Sequence, residues 1–317
     1  MGCASSIGVN TNNSKNKCVL YWNSKYKTQY YHWWPMKNRD VEKEDYANNL
    51  YAKGGGLYKY DILFDTNSVD YQMKKYSISP DSTRSDKNWA GFCDRAAFLS
   101  CLYRHPEKSV IVEYNNKKII FSKKDIEALM IVVSNLTVNR NLSVFYGNRN
   151  NSKDSKSKKK GEPYPLELIE ILKRFSKEEE PFVMDIDNGA AVWNYSYDQF
   201  VINIEEIDFS DKTLPKVGKN VIYRFKINST AYPKKNIDIK GLVNYNGEYI
   251  TQKWLSPQNP DFLWKKYKMQ GHWTGKSDMN PEIDANIVYE IYKKSIIGKG
   301  DEPTLKISND NNSYIFS

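Results

Sequence analysis

From Ala96 to Tyr103 almost every side chain is apolar, small or aromatic, and polar residues flank this stretch on both sides. A helix that is apolar all round belongs in a protein core and not on a surface. The pattern therefore predicts a buried helix with Cys93 at its first turn. The helix should end at His105-Pro106, because the residue before a proline avoids the helical region.

Runs rich in β-branched and aromatic residues predict strands elsewhere in the chain. VIVEY and KKIIF, joined by Asn115-Asn116, predict a hairpin within residues 109–121, and residues 239–250 predict a second one with Asn246-Gly247 at its tip. Further strands are predicted at Phe182 to Asp187, Ala191 to Phe200 and Val221 to Tyr232.

Helical and ordered elements alternate with one long polar insertion. Ser122, with Asp125 three residues later, predicts the start of a helix. Residues 165–172 predict an ordered element, and residues 283–297 form an amphipathic stretch. A loop as long as the basic insertion at 139–161 is usually functional or disordered. Its charges either are solvated or contact acidic lipid or a partner.

Composition limits the class of protein. The chain has 317 residues, 40% of them hydrophobic, enough for one large domain or two modest ones. No apolar run approaches the ~20 residues of a membrane-spanning helix, and no secretory signal peptide is visible. The four cysteines include no CxxC pair, which favours reduced thiols and excludes the usual zinc spacings. No metal and no cofactor are therefore expected.

The N-terminal sequence predicts a lipid anchor. Gly2 at the second position and Ser6 fit the N-myristoylation pattern, and the adjacent Cys3 is placed for palmitoylation. Two acyl chains anchor a protein stably, whereas one binds weakly. Residues 10–27 are rich in Asn, Ser and Lys, so residues 1–29 are interpreted as a flexible, lipid-anchored tether. The alternative is a disordered N-terminus that happens to begin this way.

The formal net charge of +9 is compatible with an ordinary solvated basic surface. The more specific interpretation is attraction to an anionic membrane through the lysine-rich segments. With the lipid anchor, this predicts a peripheral protein on the cytoplasmic face of a membrane. No nucleic-acid partner is expected.

Cys93 is the candidate nucleophile. At the start of a helix its sulfur faces free backbone N–H groups and the positive end of the helix dipole. That setting favours the reactive thiolate. The alternative is a buried free cysteine that behaves as a small hydrophobe.

Several motifs, in order, resemble the elicitor-type transglutaminases. They are Trp33-Trp34-Pro35, Lys59-Tyr60-Asp61, Trp89 with Gly91 and Cys93, the pair Ala96-Ala97, Phe182-Val183 with Asp185, Val192-Trp193-Asn194, Trp254, and Pro260 to Trp264. The resemblance implies a papain-like α+β fold, with a buried helix that starts at the cysteine and packs on an antiparallel sheet. It implies a transglutaminase-like domain at 30–270, a C-terminal extension at 271–317, and acyl transfer from glutamine side chains to amines.

The resemblance also assigns the catalytic positions. Cys93 matches the nucleophile and Asp185 the residue that orients a histidine, with Asn194 as the alternative. Taken alone, Asp185 is equally well explained as a turn-capping carboxylate. The family's histidine position holds Ile169. Ile169→His would then be the simplest way to restore activity, provided that Asp185 faces that position.

No other residue is an evident replacement for the missing histidine. His105 lies near the far end of the predicted helix, roughly 18 Å from Cys93 at 1.5 Å per residue. His32 and His272 have no sequence reason to approach Cys93. A carboxylate base such as Glu167 or Glu170 would raise the pKa of the thiol, and Asp94 beside Cys93 would do the same.

Three functions follow. The first is a membrane-anchored transglutaminase-like protein that has lost activity and acts as a scaffold or binding module. The second is an active acyltransferase that uses Cys93 with an unexpected base, and its substrate would be a glutamine-containing protein. The third, a papain-like peptidase, needs the same missing histidine. The first is favoured, because loss of the base removes most of the catalytic power of such a triad.

Overall fold

The computed structural model describes residues 8–12, 17–36, 49–77, 90–134, 143–147, 162–186, 193–207, 218–231, 235–266, 279–297, 300–310 and 313–317. Within these ranges the chain forms six helices and three sheets, so the fold is mixed α+β. The chain divides into two compact units. Unit 1 comprises residues 1–30 and 141–267, and unit 2 comprises residues 31–140 and 268–317.

In chain order, the elements are β1 (Gly8–Asn12), β2 (Lys17–Asn23), α1 (Gly56–Phe64), α2 (Ser68–Tyr76), α3 (Cys93–Leu102), β3 (Val110–Tyr114), β4 (Lys117–Phe121), α4 (Lys123–Val133), β5 (Ser143–Gly147), α5 (Pro165–Ser176), β6 (Phe182–Asp185), β7 (Tyr195–Tyr197), β8 (Gln199–Ile207), β9 (Lys219–Asn228), β10 (Ile237–Tyr245), β11 (Ile250–Trp254), β12 (Phe262–Lys266), α6 (Ala285–Ser295), β13 (Thr304–Asp310) and β14 (Ser313–Phe316).

Unit 1 contains two sheets and helix α5. The larger sheet is antiparallel, in the order β1-β2-β8-β9-β10-β11, and the smaller has the order β5-β12-β6-β7. One apolar cluster includes side chains from α5 and from both sheets, among them Leu168, Phe182 and Phe225. Helix α5 lies directly on the larger sheet, where Gly241 leaves room for the ring of Pro165.

Unit 2 is built around α4, in which every residue from Asp125 to Val133 is buried. Helices α1, α3 and α6 all pack against α4. The accompanying sheet has the order β14-β13-β3-β4, with β13 parallel to β3. Because β13 comes from the C-terminal part of the chain, residues beyond 268 belong to this unit and are not an appended extension.

Several predicted elements are confirmed. Ser122 caps α4 in a capping box with Asp125. The hairpin β3–β4 turns at Asn115 and Asn116, both with positive φ, and β10–β11 form the second hairpin. The predicted return strand at 191–200 is instead divided, since β7 and β8 are separated at Asp198 and enter different sheets.

The interpretation of residues 10–27 as a flexible tether is wrong where the structure describes them. Strands β1 and β2 form a hairpin there, and β2 pairs with β8 over seven residues, from Lys17↔Glu205 to Asn23↔Gln199. Asn- and Lys-rich composition suggested a linker, but pairing with a distant strand satisfies the backbone of this segment. The division into two units also differs from the predicted single domain at 30–270.

Candidate functional site

Cys93 occupies the first position of α3, as predicted, and is partly buried. The preceding residue is fixed by the aromatic segment, because the Phe92 backbone N–H donates to the carbonyl oxygens of Trp33 (2.7 Å) and Trp34 (3.2 Å). A side chain at Gly91 would meet the Trp33 ring at 2.1 Å, so only glycine fits there. The start of the helix is thus held in one place against residues 33–36.

Two charged residues follow Cys93. Arg95 is buried and donates to the carbonyl oxygens of Ile131 (3.0 Å) and Val132 (3.2 Å), at the C-terminal end of α4. A cation there satisfies free carbonyl groups and opposes the helix dipole. Desolvation raises the pKa of the Asp94 carboxyl, although Arg95 partly offsets the effect. Burial therefore disfavours the negatively charged form of Asp94, the residue next to Cys93.

Glu127, on α4, is the centre of a second polar cluster in unit 2. Its side chain is 2% exposed. It accepts hydrogen bonds from the His32 backbone N–H and the Trp34 indole (3.2 Å), and it pairs with His105 Nε2 at 3.1 Å. Burial raises the pKa of Glu127, but the hydrogen bonds from His105 and His32 outweigh it and hold the pKa below its ordinary value.

This cluster explains an unusual backbone conformation. Trp34 has φ of 42°, in the left-handed region that a bulky residue adopts only at a cost. Its indole is buried, and the hydrogen bond to Glu127 helps to hold it there. Glu127 therefore positions the aromatic segment that in turn fixes the residue before Cys93.

His105 has a positioning role in the same cluster. Its Nε2 faces Glu127 and its Nδ1 lies 3.1 Å from the Pro106 carbonyl oxygen, so both ring nitrogens have acceptors of their own. Helix α3 separates it from Cys93 by nine residue steps, about 14 Å of helix rise, before the chain reaches residue 105. The sequence predicts that the helix continues to His105, but it ends at Leu102, where Tyr103 is already extended. His105 still lies toward the far end of the helix from Cys93, as predicted.

The Lys59-Tyr60-Asp61 motif ties helices together. Lys59 Nζ pairs with Asp125 at 2.6 Å, and the buried Tyr60 hydroxyl accepts the Asp284 backbone N–H at 3.0 Å. The Asp61 carboxylate accepts backbone N–H groups of α2, from Ser68 (2.7 Å) and Val69 (3.0 Å). The three consecutive residues thus link α1 to α4, to the start of α6 and to α2.

The other predicted catalytic residues lie in unit 1. Asp185 ends β6, is 1% exposed and accepts the Trp193 backbone N–H at 3.4 Å. The Asn194 side-chain oxygen accepts the Trp264 indole N–H at 2.8 Å, a structural contact. Ile169 is buried in α5, within the apolar cluster of unit 1.

Ile169 and Asp185 are on opposite sides of the smaller sheet. Phe182, Met184 and Ile186 share the apolar cluster with Ile169. Since neighbouring strand residues point to opposite faces, Val183 and Asp185 face away from that cluster. Val183 pairs with Trp264 there. The condition under which Ile169→His would restore a triad is therefore not met.

Other predicted site residues fall outside the described ranges. These are the lipidation residues Gly2 and Cys3, the motif residues Trp89 and Val192, His272, and most of the 139–161 insertion. In the part of the chain that the structure describes, no helix is long and apolar enough to span a membrane. Nor do the described His, Cys, Asp and Glu residues form a group of three that could bind a metal ion.

Comparisons with protein-family models, with curated proteins and with solved structures find no match to this chain.

Proposed function

We propose that this protein is a membrane-anchored, transglutaminase-like protein that has lost acyltransferase activity and serves as a scaffold or binding module. One observation carries the inactive assignment. Ile169, at the position of the family's histidine, is packed in an apolar cluster, and the Asp185 carboxylate faces the other side of the sheet.

The chemistry explains why this observation matters. Acyl transfer from glutamine needs a thiolate to attack the carboxamide, a base to move protons between thiol, leaving ammonia and incoming amine, and a group that orients the base. General acid–base catalysis typically contributes about 10²–10⁴-fold, and triad members act as a unit. Cys93 without its expected base would therefore turn over substrate very slowly.

The motif residues make structural contacts within unit 2, which supports the proposed role as a scaffold. Lys59, Tyr60 and Asp61 connect four helices, and Trp34 is fixed by Glu127. A chain that retains these contacts keeps a defined shape without needing the catalytic histidine. A scaffold that binds other proteins requires only such a shape and a surface.

A specific observation keeps the active enzyme as a second candidate. The carbonyl groups of Trp33 and Trp34 accept the N–H of Phe92, so the segment that carries His32 adjoins the residue before Cys93. The sequence gives no reason for His32 to approach Cys93, yet the fold places its segment beside the start of α3. In this candidate, Cys93 attacks a glutamine-containing protein and His32 is the first histidine to test as the base.

An amine-incorporation assay separates the two candidates. Wild-type protein is incubated with a fluorescent primary amine and a glutamine-bearing acceptor protein, beside Cys93→Ala and His32→Gln. The scaffold predicts equal, background incorporation by all three. Incorporation by the wild type that both variants lose would establish the enzyme instead.

A further inference from the structure

The pairing register of the larger sheet shows where the N-terminal segment leaves unit 1. Gly8, the first residue of β1, pairs with Tyr21, and Tyr21 pairs with Val201. This row of paired residues, which runs across the strands, continues from Val201 to Lys226 and then to Asp238. The segment that precedes Gly8 therefore departs from the row that contains Lys226.

The side chains of this row point away from the core. Their strand neighbours Trp22, Phe225 and Ile239 belong to the apolar cluster, so residues at alternate positions occupy the outer face. On that face Tyr21 and Arg224 are each 44% exposed, and Lys226 and Lys240 are exposed as well.

Along β10, the outer face is exposed toward one end, its open end, at Asp238 and Lys240. Leu242 and Asn244 lie on the same face toward the opposite end of β10, and both are buried. The open end is the one that contains the row of Gly8. The N-terminal segment therefore leaves the sheet beside the open end of its outer face.

The open end carries an excess of positive charge. Arg224 and Asp238 form a two-pronged pair, with 2.9 and 2.6 Å between nitrogen and oxygen atoms, which neutralises both. Lys226 and Lys240 form no ion pair with any residue in the described ranges. Asp238 also interacts electrostatically with both lysines, so three cations share one carboxylate and the end keeps two net positive charges. An exposed tyrosine in the same row adds the amphipathic ring that, with anion attraction, is found at membrane surfaces.

The short reach of the N-terminal segment would keep unit 1 close to a bilayer that holds its lipids. Five residue steps separate Cys3 from Gly8, which span at most about 18 Å when fully extended. The sheet from β1 to β10 is about 19 Å wide, at four strand spacings. If Gly2 and Cys3 carry lipids, unit 1 cannot move far from the headgroups, and one of its surfaces must face them.

We infer that the outer face around Tyr21, Arg224, Lys226 and Lys240 contacts the anionic headgroups of the membrane into which the N-terminal lipids insert. This inference rests on the lipid anchor of the proposed function. It adds an orientation, because unit 1 would lie with its larger sheet against the bilayer and its apolar cluster away from it.

Vesicle sedimentation tests this orientation. Myristoylated wild-type protein is compared with Lys226→Glu/Lys240→Glu and with the control Lys74→Glu/Lys75→Glu, which makes the same charge change on exposed residues of α2 in unit 2. Each is titrated with phosphatidylcholine vesicles and with vesicles that contain 30% phosphatidylserine. On the anionic vesicles we expect the sheet variant to bind at least ~10-fold more weakly than the control, since each basic residue at an anionic surface contributes about fivefold. On neutral vesicles all three should bind alike.

The controls separate two ways of failing. Equal binding of the two charge variants to anionic vesicles would overturn the orientation and favour a protein partner for this face. Equal binding of wild type and Gly2→Ala to neutral vesicles would instead overturn the lipid anchor. Lys226→Gln/Lys240→Gln, which removes charge without adding repulsion, should weaken anionic binding by an intermediate amount. Matching thermal transitions confirm that each variant is folded.

Discussion

At the scale of single residues, Glu127 makes the clearest energetic prediction. Three donors converge on its buried carboxylate, so Glu127→Gln replaces an acceptor oxygen by an amide that cannot serve all of them. We expect the free energy of unfolding to fall by about 2–4 kcal/mol at neutral pH. Urea denaturation of both proteins measures the loss. A loss below about 0.5 kcal/mol would mean that the cluster does not hold the aromatic segment.

The same residue predicts a pH dependence. The pKa of Glu127 is lowered in the folded protein from its ordinary 4.5, so the folded state binds fewer protons in the acid range. Its contribution to stability is therefore fully present above pH ~5 and is lost as pH falls through the folded pKa. Glu127→Gln should flatten the wild-type decline in stability below pH 5. An equally steep decline of the free energy of unfolding below pH 5 in both proteins would contradict this linkage.

Ile169 gives a prediction that reverses an expectation from sequence. Family resemblance made Ile169→His the simplest rescue, but this side chain is packed among apolar residues, away from Asp185. An imidazole there would lose apolar contacts and bury polar nitrogens, so we expect a loss of about 2–4 kcal/mol and no amine incorporation. Ile169→Val should cost only about 1 kcal/mol and serves as the control. Restored incorporation by Ile169→His would contradict the assignment of Asp185 to the far face.

Residue patterns revealed part of the candidate site and missed the rest for a physical reason. Cys93 and Asp125 were found because local helix signals depend on neighbouring residues. Glu127 was missed, although a single carboxylate inside the otherwise apolar run IEALMIVV indicates a buried, paired acid. Its partners His32 and His105 lie 95 and 22 residues away, so no local pattern identifies them.

At the scale of elements, the β3–β4 turn can be tested with a matched pair of substitutions. Asn115 and Asn116 have φ of 47° and 62°, the left-handed conformations of a type I′ turn. A positive φ is strained for a residue with a side chain but not for glycine. Asn116→Gly should therefore raise the free energy of unfolding by about 0.5–1 kcal/mol, whereas Asn116→Ala should lower it by a similar amount. Thermal denaturation should give the highest melting temperature for Asn116→Gly and the lowest for Asn116→Ala, with the wild type between them. Equal melting temperatures would show that the hairpin does not limit stability.

Strands were predictable when both partners lay close in sequence. The two hairpins β3–β4 and β10–β11 were found from alternation and turn residues. The sequence predicts a tether in place of strands β1 and β2, because GVNTN is polar and because β2 pairs with β8, roughly 180 residues later. The energy that orders such a segment comes from long-range pairing, which composition does not encode.

At the scale of the whole molecule, the two units interleave along the chain. Residues 1–30 and 141–267 form one, and the segments between and after them form the other. Length and composition indicate one large domain or two modest ones. Neither property can show that the two units interleave along the chain. The assignment of Cys93 to unit 2 and of Asp185 to unit 1 follows from it. The predicted packing of the Cys93 helix on the sheet of Asp185 stays a prediction.

The lipid anchor is the prediction that involves the whole protein. Gly2→Ala removes the acceptor for myristoylation, and palmitoylation of an adjacent cysteine usually depends on that first lipid. We expect Gly2→Ala to move the protein from the membrane fraction to the soluble fraction. Cys3→Ser should leave it only weakly and reversibly attached, because one myristoyl chain alone binds with an association constant of about 10⁴ M⁻¹. Cys18→Ser is the matched control, since Cys18 lies within β2 and outside the motif. If Gly2→Ala stays fully in the membrane fraction after a high-salt wash, the protein is held there by something other than N-terminal lipids.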